Sequence, residues 1–594
     1  MKISYLDGIR FYRGLLAGGK AVIENRAELD RINVFPVADA DTGINLTLTM
    51  QSILEQARLG ISLRDTFRSI ADAALVGARG NSGIIFAQYL YGLSRELPEK
   101  GVLTPHSFSQ SAQKAVKHLY DSLLNPVEGT MLTVIREWSD FLVEQSAKTQ
   151  DFMHLFTDSL AIARRSLMDT PKRLKVLADA GVVDAGARGF VYFLEGVVDF
   201  IHKGSLRKLE KPRPIDALET APESHGTEPG QNRYCTEAIL SGCERGANYL
   251  KGVLASHGDS LILAGDREKL HIHIHTARPD RVFDELYRLG QVSGAKIDDM
   301  LRQYQVSHER RFQIGLITDT ASDLPMDLLD RYQITRIPFG LNFGNRSYLD
   351  KLNIQPEGFY GMLKSDPHHP TSSQPSPALV RSMVEDAVSH YDRSIAVHIS
   401  SNLSGVYQSV AALASDSLRG KLGVIDSRQL SVSEGLVTLR VAKAIEAGLS
   451  YDEIMALAPS WAANTRIYTD VHTLKYMVRG GRVPPLAGMV AKLLNIKPIV
   501  GLDEDGKAKI WGKSFSRAAN ARKIIALIEK DLQSLQLWDY AIVHADAEAR
   551  ARMYARMLEK LTGRPPAYIM PLSPVVGVHN GIGAVAIGVS YDLL

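Results

Sequence analysis

The chain has 594 residues, 45% of them hydrophobic and 23% charged, and a formal net charge of +3 with its 17 histidines neutral. That length calls for three or four cores, and the near-balanced charge gives no electrostatic case for a nucleic-acid partner or for membrane attachment. Two cysteines, Cys235 and Cys243, argue against a disulfide scaffold and fit a reducing compartment. The first residues, Met1 to Asp7, lack the apolar core of a signal peptide. The most hydrophobic stretch, 484–502, is broken by Lys492, Lys497 and prolines, so it spans no bilayer. A cytoplasmic protein without a membrane span is expected.

Residues 1–205 read as mostly helical. Apolar residues recur at helical spacing at Ile44, Leu48, Ile53 and Leu54, and again at Ile84, Ile85, Tyr89 and Leu93. Asp-Thr-Gly at 41–43 and Asn-Ser-Gly at 81–83 supply helix starts, the second helix beginning near Ile84. Residues 206–230 turn charged and then rich in Pro, Glu, Ser and Gly, which marks a linker. In 231–308, strands over 235–240, 261–264 and 270–276 alternate with helices over 247–256 and 279–289, a small α+β layer of the split βαβ kind. In 312–594, buried β runs at 314–318, 395–399, 424–426, 541–544 and 584–589 alternate with helices, which implies α/β units on a parallel sheet. The fold class is therefore multidomain: an all-α helical domain, a small α+β middle domain and an α/β domain.

The densest chemistry lies in 33–45, Asn-Val-Phe-Pro-Val-Ala-Asp-Ala-Asp-Thr-Gly-Ile-Asn. Asp39 and Asp41 stand two apart, directly before a helix start. Mg²⁺ takes one or two carboxylates plus phosphate oxygens, and a fresh helix N-terminus attracts anions. A proline turn followed by an ordinary N-cap accounts for the same residues. The loop Gly77-Ala78-Arg79-Gly80-Asn81-Ser82-Gly83 lets backbone approach a phosphate, or is simply a turn into a helix. In His271-Ile272-His273-Ile274-His275 the period of two puts three imidazoles on one face, with Cys235 on a neighbouring strand. That set suits Zn²⁺, and a polar, solvent-facing strand edge is the alternative. Farther on, serine-rich turns offer hydroxyls to a carboxylate, or cap helices.

The first segment resembles the fatty acid kinases, relatives of the nucleotide-binding subunit of dihydroxyacetone kinase. The motifs are the 33–45 run, the 77–83 loop, Gly129-Thr130-Met131 and Ala180-Gly181-Val182-Val183-Asp184-Ala185-Gly186. The resemblance implies ATP and Mg²⁺, with Asp39 and Asp41 at the metal and Asn33 as a third oxygen ligand. It places Thr42, Asn45, Asn81, Ser82, Gly83, Thr130 and Met131 around the nucleotide. Ala38 and Ala40 depart from the usual Pro and Gly, and a strain of about 1 kcal/mol follows if position 40 needs positive φ. The middle segment resembles the fatty acid kinase middle domain through Tyr234-Cys235-Thr236-Glu237 and His273-Ile274-His275-Thr276. This implies Cys235, His273 and His275 as zinc or catalytic-region residues. His271 stands where that family often has Lys, and Cys243 reads as a small buried side chain.

The third segment resembles the DegV family of fatty-acid-binding proteins. The motifs are Ile317-Thr318-Asp319-Thr320-Ala321-Ser322-Asp323-Leu324, Thr371-Ser372-Ser373-Gln374-Pro375-Ser376, Ser400-Ser401-Asn402-Leu403-Ser404-Gly405, Gly480-Gly481-Arg482 and His579-Asn580-Gly581-Ile582-Gly583. The last differs from the family's Thr-Gly-Pro-Gly ending. Carried over, Ser372 or Ser373, together with Ser401, contacts a carboxylate, Asn402 adds an amide, Arg482 neutralises phosphate and His579 lies near the head group. The whole implies ATP-dependent phosphorylation of a bound fatty acid. Two rivals stay open: a small-molecule kinase of the dihydroxyacetone type, and a fatty-acid-binding protein with a silent kinase half. The reading leaves room for transient membrane or acyltransferase contact and for a homo-oligomer.

Overall fold

The computed structural model describes residues 2–35, 41–98, 102–203, 230–481 and 497–593. Ala38, Asp39, Ala40, Arg482 and nearly all of the 206–230 stretch lie outside the described residues. The chain divides into two compact units, Met1–Tyr304 and Gln305–Leu594.

The first unit opens with helices α1 (Gly8–Glu24), α2 (Arg26–Arg31), α3 (Thr42–Gln56), α4 (Leu63–Gly77), α5 (Gly80–Glu96) and α6 (Pro105–Ser122). There follow α7 (Met131–Ser146), α8 (Phe152–Met168), α9 (Thr170–Arg173), α10 (Lys175–Ala180) and α11 (Ala185–Lys203). Their apolar faces close on one core in which Trp138 meets Phe108, Phe156 and Phe190 at ring distances of 5.6–6.4 Å. Trp138 also donates its indole N–H to Ser159 Oγ at 3.0 Å, so its polar edge is satisfied inside the core. Capping boxes at Ser62 and Thr104 fix the starts of α4 and α6.

The middle region adds β1 (Tyr234–Ser241), α12 (Gly246–Leu254), β2 (Asp259–Gly265), β3 (Lys269–Thr276), α13 (Pro279–Leu289) and β4 (Gln291–Asp299). The sheet order is β2-β3-β1-β4, with neighbours antiparallel throughout. This is the split βαβ layout expected from the alternation. β4 escapes the pattern reading because it is half exposed, polar and interrupted by Gly294. Register places Cys235 opposite His275 and Glu237 opposite His273. The three histidines do not lie on a wet edge: β3 is paired on both sides, and His271, His273 and His275 are buried.

The second unit contains the expected parallel sheet, ordered β6 (Thr335–Ile337), β5 (Ile314–Asp319), β10 (Arg393–His398) and β11 (Leu422–Asp426). A three-stranded sheet joins β7 (Gly340–Phe343) to β8 (Arg346–Leu349) and β9 (Thr371–Ser373). A six-stranded sheet runs β14 (Ala508–Ser514), β13 (Lys497–Leu502), β12 (Thr465–Asp470), β17 (Val585–Leu593), β15 (Leu535–His544) and β16 (Ile569–Pro571). Two of the strands read as part of one parallel sheet, β15 and β17, are antiparallel neighbours in this six-stranded sheet. A buried apolar strand looks alike in either pairing, so the pattern alone did not separate them. Between the two larger sheets lies the helix Val432–Glu446, packed on β12, β15 and β17 of one and β5 and β10 of the other. Its Val432, Leu436, Val437, Leu439 and Val441 are all buried, as a helix sandwiched on both sides requires. No helix among the described residues is long and apolar enough to cross a membrane.

Candidate functional site

In the first unit the acidic turn leads into α3. Asp41 occupies the N-cap position, its carbonyl accepting the Asn45 N–H at 2.8 Å, and its carboxylate does not cap the helix. That task falls to Asp30, which the motif reading missed: its Oδ1 accepts the Ile44 N–H at 3.0 Å. Burial pushes the Asp30 carboxyl up to about 6, against the pull of that N–H and of Arg26. Asn33, Thr42 and Asn45 are buried around this start. Asn45 then meets the glycine loop of α5. A Cβ at Gly80 would sit 2.3 Å from Asn45 Nδ2, and Gly80 has φ +56°, so this contact admits glycine alone. The helix begins at Gly80 rather than near Ile84, which draws Asn81, Ser82 and Gly83 into its first turn.

The remaining motifs converge on the same place. Thr130 caps α7, its hydroxyl donating to the Val127 carbonyl at 2.8 Å and accepting the Leu132 N–H at 3.4 Å. The Met131 N–H reaches Asp184 Oδ1 at 3.1 Å, and the Ala187 N–H reaches the same oxygen at 2.7 Å. Burial lifts the Asp184 carboxyl to about 6, and the two N–H groups only partly offset it. A Cβ on Gly186 would lie 2.9 Å from Ser82 Oγ and 3.2 Å from Met131 Cε. Residues far apart in sequence thus surround one small volume beside the starts of α3 and α5. Asp39 lies outside the described residues, so the carboxylate pair itself is not described.

The middle sheet brings Cys235, His273 and His275 together, with potential ligand atoms all within 4.8 Å of one another. Tetrahedral bonds of ~2.0–2.3 Å to one shared Zn²⁺ put ligand atoms about 3.3–3.8 Å apart, so a modest closing of this cluster would seat the ion. His273 Nδ1 is 3.8 Å from Cys235 Sγ, and His273 Nε2 is buried without a hydrogen-bond partner. A thiol and two neutral imidazoles are a zinc donor set, so the residues fit the ion. Burial, followed by His273, lowers His275 to about 3, which keeps it neutral and able to ligate. The Cys235 thiol is raised by burial and then by Glu237 and Asp298, and a metal would have to displace its proton. His271 stands apart: its Nδ1–H donates to the Leu75 carbonyl at 2.7 Å and ties β3 to α4. Cys243 is fully buried.

Sequence reasoning gave Glu237 no role of its own. Its Oε1 accepts the Gly80 N–H at 2.8 Å and lies 3.4 Å from His273 Nδ1. Burial alone would raise this carboxyl, but His273, Lys296 and His271 outweigh it and hold it well below the usual range. Its only signal was its place two residues after Cys235, on the same face of β1.

The second unit holds a cavity of about 270 Å³, near the lower end of small-molecule sites. Phe339, Ile399, Ile467, Val500 and Val576 form apolar wall, while Ser372, Ser373, Ser404 and His579 supply polar groups. Ser372 Oγ and His579 Nε2 are 2.9 Å apart. The helix Pro574–Asn580 that carries His579 is anchored by buried Asp323, which accepts the Ser573 N–H at 2.8 Å and pairs with Lys351 at 2.8 Å. The loop after β10 is held by Asp319, which accepts from the Ile399 N–H at 3.2 Å and from His398 Nδ1 at 3.0 Å. A Cβ on Gly480 would strike the His579 ring at 2.1 Å, so Gly480 lets backbone lie against that imidazole. Ser401 and Asn402 are not among the cavity-lining residues. The Ser401 N–H goes to Asp426 Oδ1 at 3.2 Å, and Asn402 Nδ2 to the Asp505 carbonyl at 2.7 Å. Arg482 lies outside the described residues.

Known proteins match each part. Residues 36–199 match the model of the DAK2 domain, 231–307 that of the FakA-like middle domain of fatty acid kinase, and 313–592 that of the uncharacterised DegV protein family. An uncharacterized protein of Staphylococcus saprophyticus is 30% identical over 337 residues, covering 55% of this chain and 61% of that protein. One of Staphylococcus aureus is 31% identical over 316 residues, covering 51% and 57%. The chain thus spans about three-fifths of the length of these relatives. Among solved structures, a DegV family protein from Thermus thermophilus, described as fatty acid binding, is 27% identical. It covers 47% of this chain and 100% of its own, with a TM-score of 0.44. The Bacillus subtilis protein DegV, described as a fatty acid binding protein, is also 27% identical, with the same coverage and a TM-score of 0.43. In chain order, the protein is composed of a DAK2 domain, a FakA-like middle domain and a DegV domain.

Proposed function

We propose that the protein phosphorylates a fatty acid at the expense of ATP. A carboxylate oxygen of the fatty acid attacks the γ-phosphorus, the bond to the bridging oxygen breaks, and acyl phosphate and ADP result. The carboxylate is already ionised near neutral pH, so no general base is needed. Catalysis then reduces to positioning and charge neutralisation. On this reading 1–205 bind the nucleotide, 206–230 link, 231–308 orient the transfer and 312–594 carry the fatty acid.

Asn33, Asp39 and Asp41 would hold Mg²⁺, which when bound screens phosphate charge. Thr42, Asn45, Asn81, Ser82, Gly83, Thr130 and Met131 would border the nucleotide. Cys235, His273 and His275 would hold Zn²⁺, adding fixed positive charge to this region. Ser372, Ser373 and His579 would bind the head group, with Ser401 and Asn402 beside it, and Arg482 would face the transferred phosphoryl group. The observation that carries this reading is an apolar cavity with the Ser372–His579 pair in its wall, on the same polypeptide as a kinase-type helical domain. One chain keeps both partners at high effective concentration.

A second reading, a fatty acid carrier with a silent kinase half, draws support from Glu237: a carboxylate already holds the Gly80 N–H, where a phosphate would bind. ADP release by the purified protein with and without oleate separates the two. Oleate-dependent release, reduced at least a hundredfold by the double substitution Asp39→Ala, Asp41→Ala, is expected from loss of ~3 kcal/mol of charge stabilisation. Release indifferent to oleate, or to the double substitution, overturns the kinase reading.

A further inference from the structure

Among the described residues, Glu237 ties the two halves of the first unit's site to each other. It lies on β1 with 1% of its side chain exposed. On one flank its Oε1 accepts the N–H of Gly80, the first residue of the 17-residue helix α5, and Arg79 Nη1 stands 3.9 Å from Oε2. On the other flank the same Oε1 is 3.4 Å from His273 Nδ1, within the Cys235, His273, His275 cluster. The first N–H groups of a helix lie at the positive end of its dipole and favour an anion. Here a side chain of the protein fills that position.

We propose that the Glu237 carboxylate is an internal anion that blocks the glycine loop in the metal-free protein, and that a divalent cation bound by Cys235, His273 and His275 draws it off and opens the loop to the nucleotide. The proposal rests on the nucleotide reading above and adds a control to it. A Zn²⁺ ion with one thiolate and two neutral imidazoles keeps one net positive charge and a fourth coordination position. Glu237 is the carboxylate hydrogen-bonded beside His273, and in a water-poor interior that charge attracts it strongly. Once the carboxylate moves, the half-buried Gly80 N–H loses its acceptor, and a partly desolvated N–H without one is unfavourable. A nucleotide phosphate supplies a new acceptor. Metal and nucleotide therefore bind cooperatively, and the coupling is reciprocal.

The test uses the full chain, loaded with Zn²⁺ and freed of excess, against the same protein depleted by a zinc-selective chelator with Mg²⁺ retained. The readout is the calorimetric Kd of a non-hydrolysable ATP analogue. Wild type is expected to bind it about tenfold more tightly when zinc-loaded, within the usual span of coupling between sites. Glu237→Gln keeps an oxygen for the Gly80 N–H but loses the charge, so its affinity should be high and independent of zinc. If zinc merely stiffens the domain, Glu237→Gln loses affinity on depletion as wild type does, and the proposal fails. Equal wild-type affinity in both forms also overturns it, while leaving the nucleotide reading intact. Nucleotide binding in neither form sinks that reading and this proposal together. If Glu237→Gln does not fold, the reciprocal measurement decides: a saturating analogue must tighten zinc binding to wild type by the same factor, and an unchanged zinc Kd refutes the coupling.

Discussion

Asp184 receives two backbone N–H groups, from Met131 and Ala187, on a single oxygen, Oδ1. Asparagine at this position keeps that oxygen and loses the charge, which isolates the cost of burial. The folded carboxyl titrates at about 6 against an ordinary 3.8, so between those values the folded state holds a proton that the unfolded chain has released. Stability therefore falls as pH rises through that window. Asp184→Asn should gain on wild type from pH 4 to pH 7 by up to about 3 kcal/mol, at ~1.4 kcal/mol per pKa unit. Urea midpoints at the two pH values measure it, and a constant difference would contradict burial as the dominant influence. Such residues mark the limit of motif reading. Asp41, Ser82 and His273 stand out by spacing, whereas Asp30 and Glu237 act through N–H groups of chain segments 14 and 157 residues away.

The serine-rich loop after β10 and the β13–β14 hairpin act as a pair. Two donors of that loop, joined by Arg428 from the loop after β11, reach three successive carbonyls of the hairpin turn. Arg428 Nη1 reaches Glu504 at 3.4 Å, Asn402 Nδ2 reaches Asp505 at 2.7 Å and Ser400 Oγ reaches Gly506 at 2.9 Å. The hairpin in turn gives Val500, Leu502 and Ala508 to the cavity wall. Loss of one such bond costs ~1 kcal/mol, so Asn402→Ala should speed release of a fluorescent fatty acid about fivefold. Stopped-flow displacement reads this, and an unchanged release rate would detach the clamp from the cavity. At this scale the helical character of 1–205 and the central buried strands were legible because burial imposes a period, whereas short strands such as β6 to β9 were not. β4 was not, since a half-exposed edge carries little periodicity, and the pairing of β15 with β17 was not, since apolar alternation does not encode direction.

Each of the two units has its own core, and a ligand that binds one folded unit stabilises that unit by mass action. Calorimetric unfolding of the whole chain should give two transitions, with a fatty acid at a hundred times its Kd raising only one of them, by ~2.7 kcal/mol. A single transition displaced by fatty acid and by nucleotide alike would refute independent units. The sequence by itself determined the order of the three regions, the helical, small-sheet and α/β character of each, and the residue types available for metal, phosphate and carboxylate chemistry. Local spacing carries that information, because hydrophobic period and turn chemistry are properties of neighbours along the chain. Only the tertiary structure decided that Glu237 faces both Gly80 and His273, that Asp184 joins Met131 to the start of α11, and that Ser404 rather than Ser401 lines the cavity. Those are meetings of distant segments, set by sheet register and helix packing, and no local pattern records them.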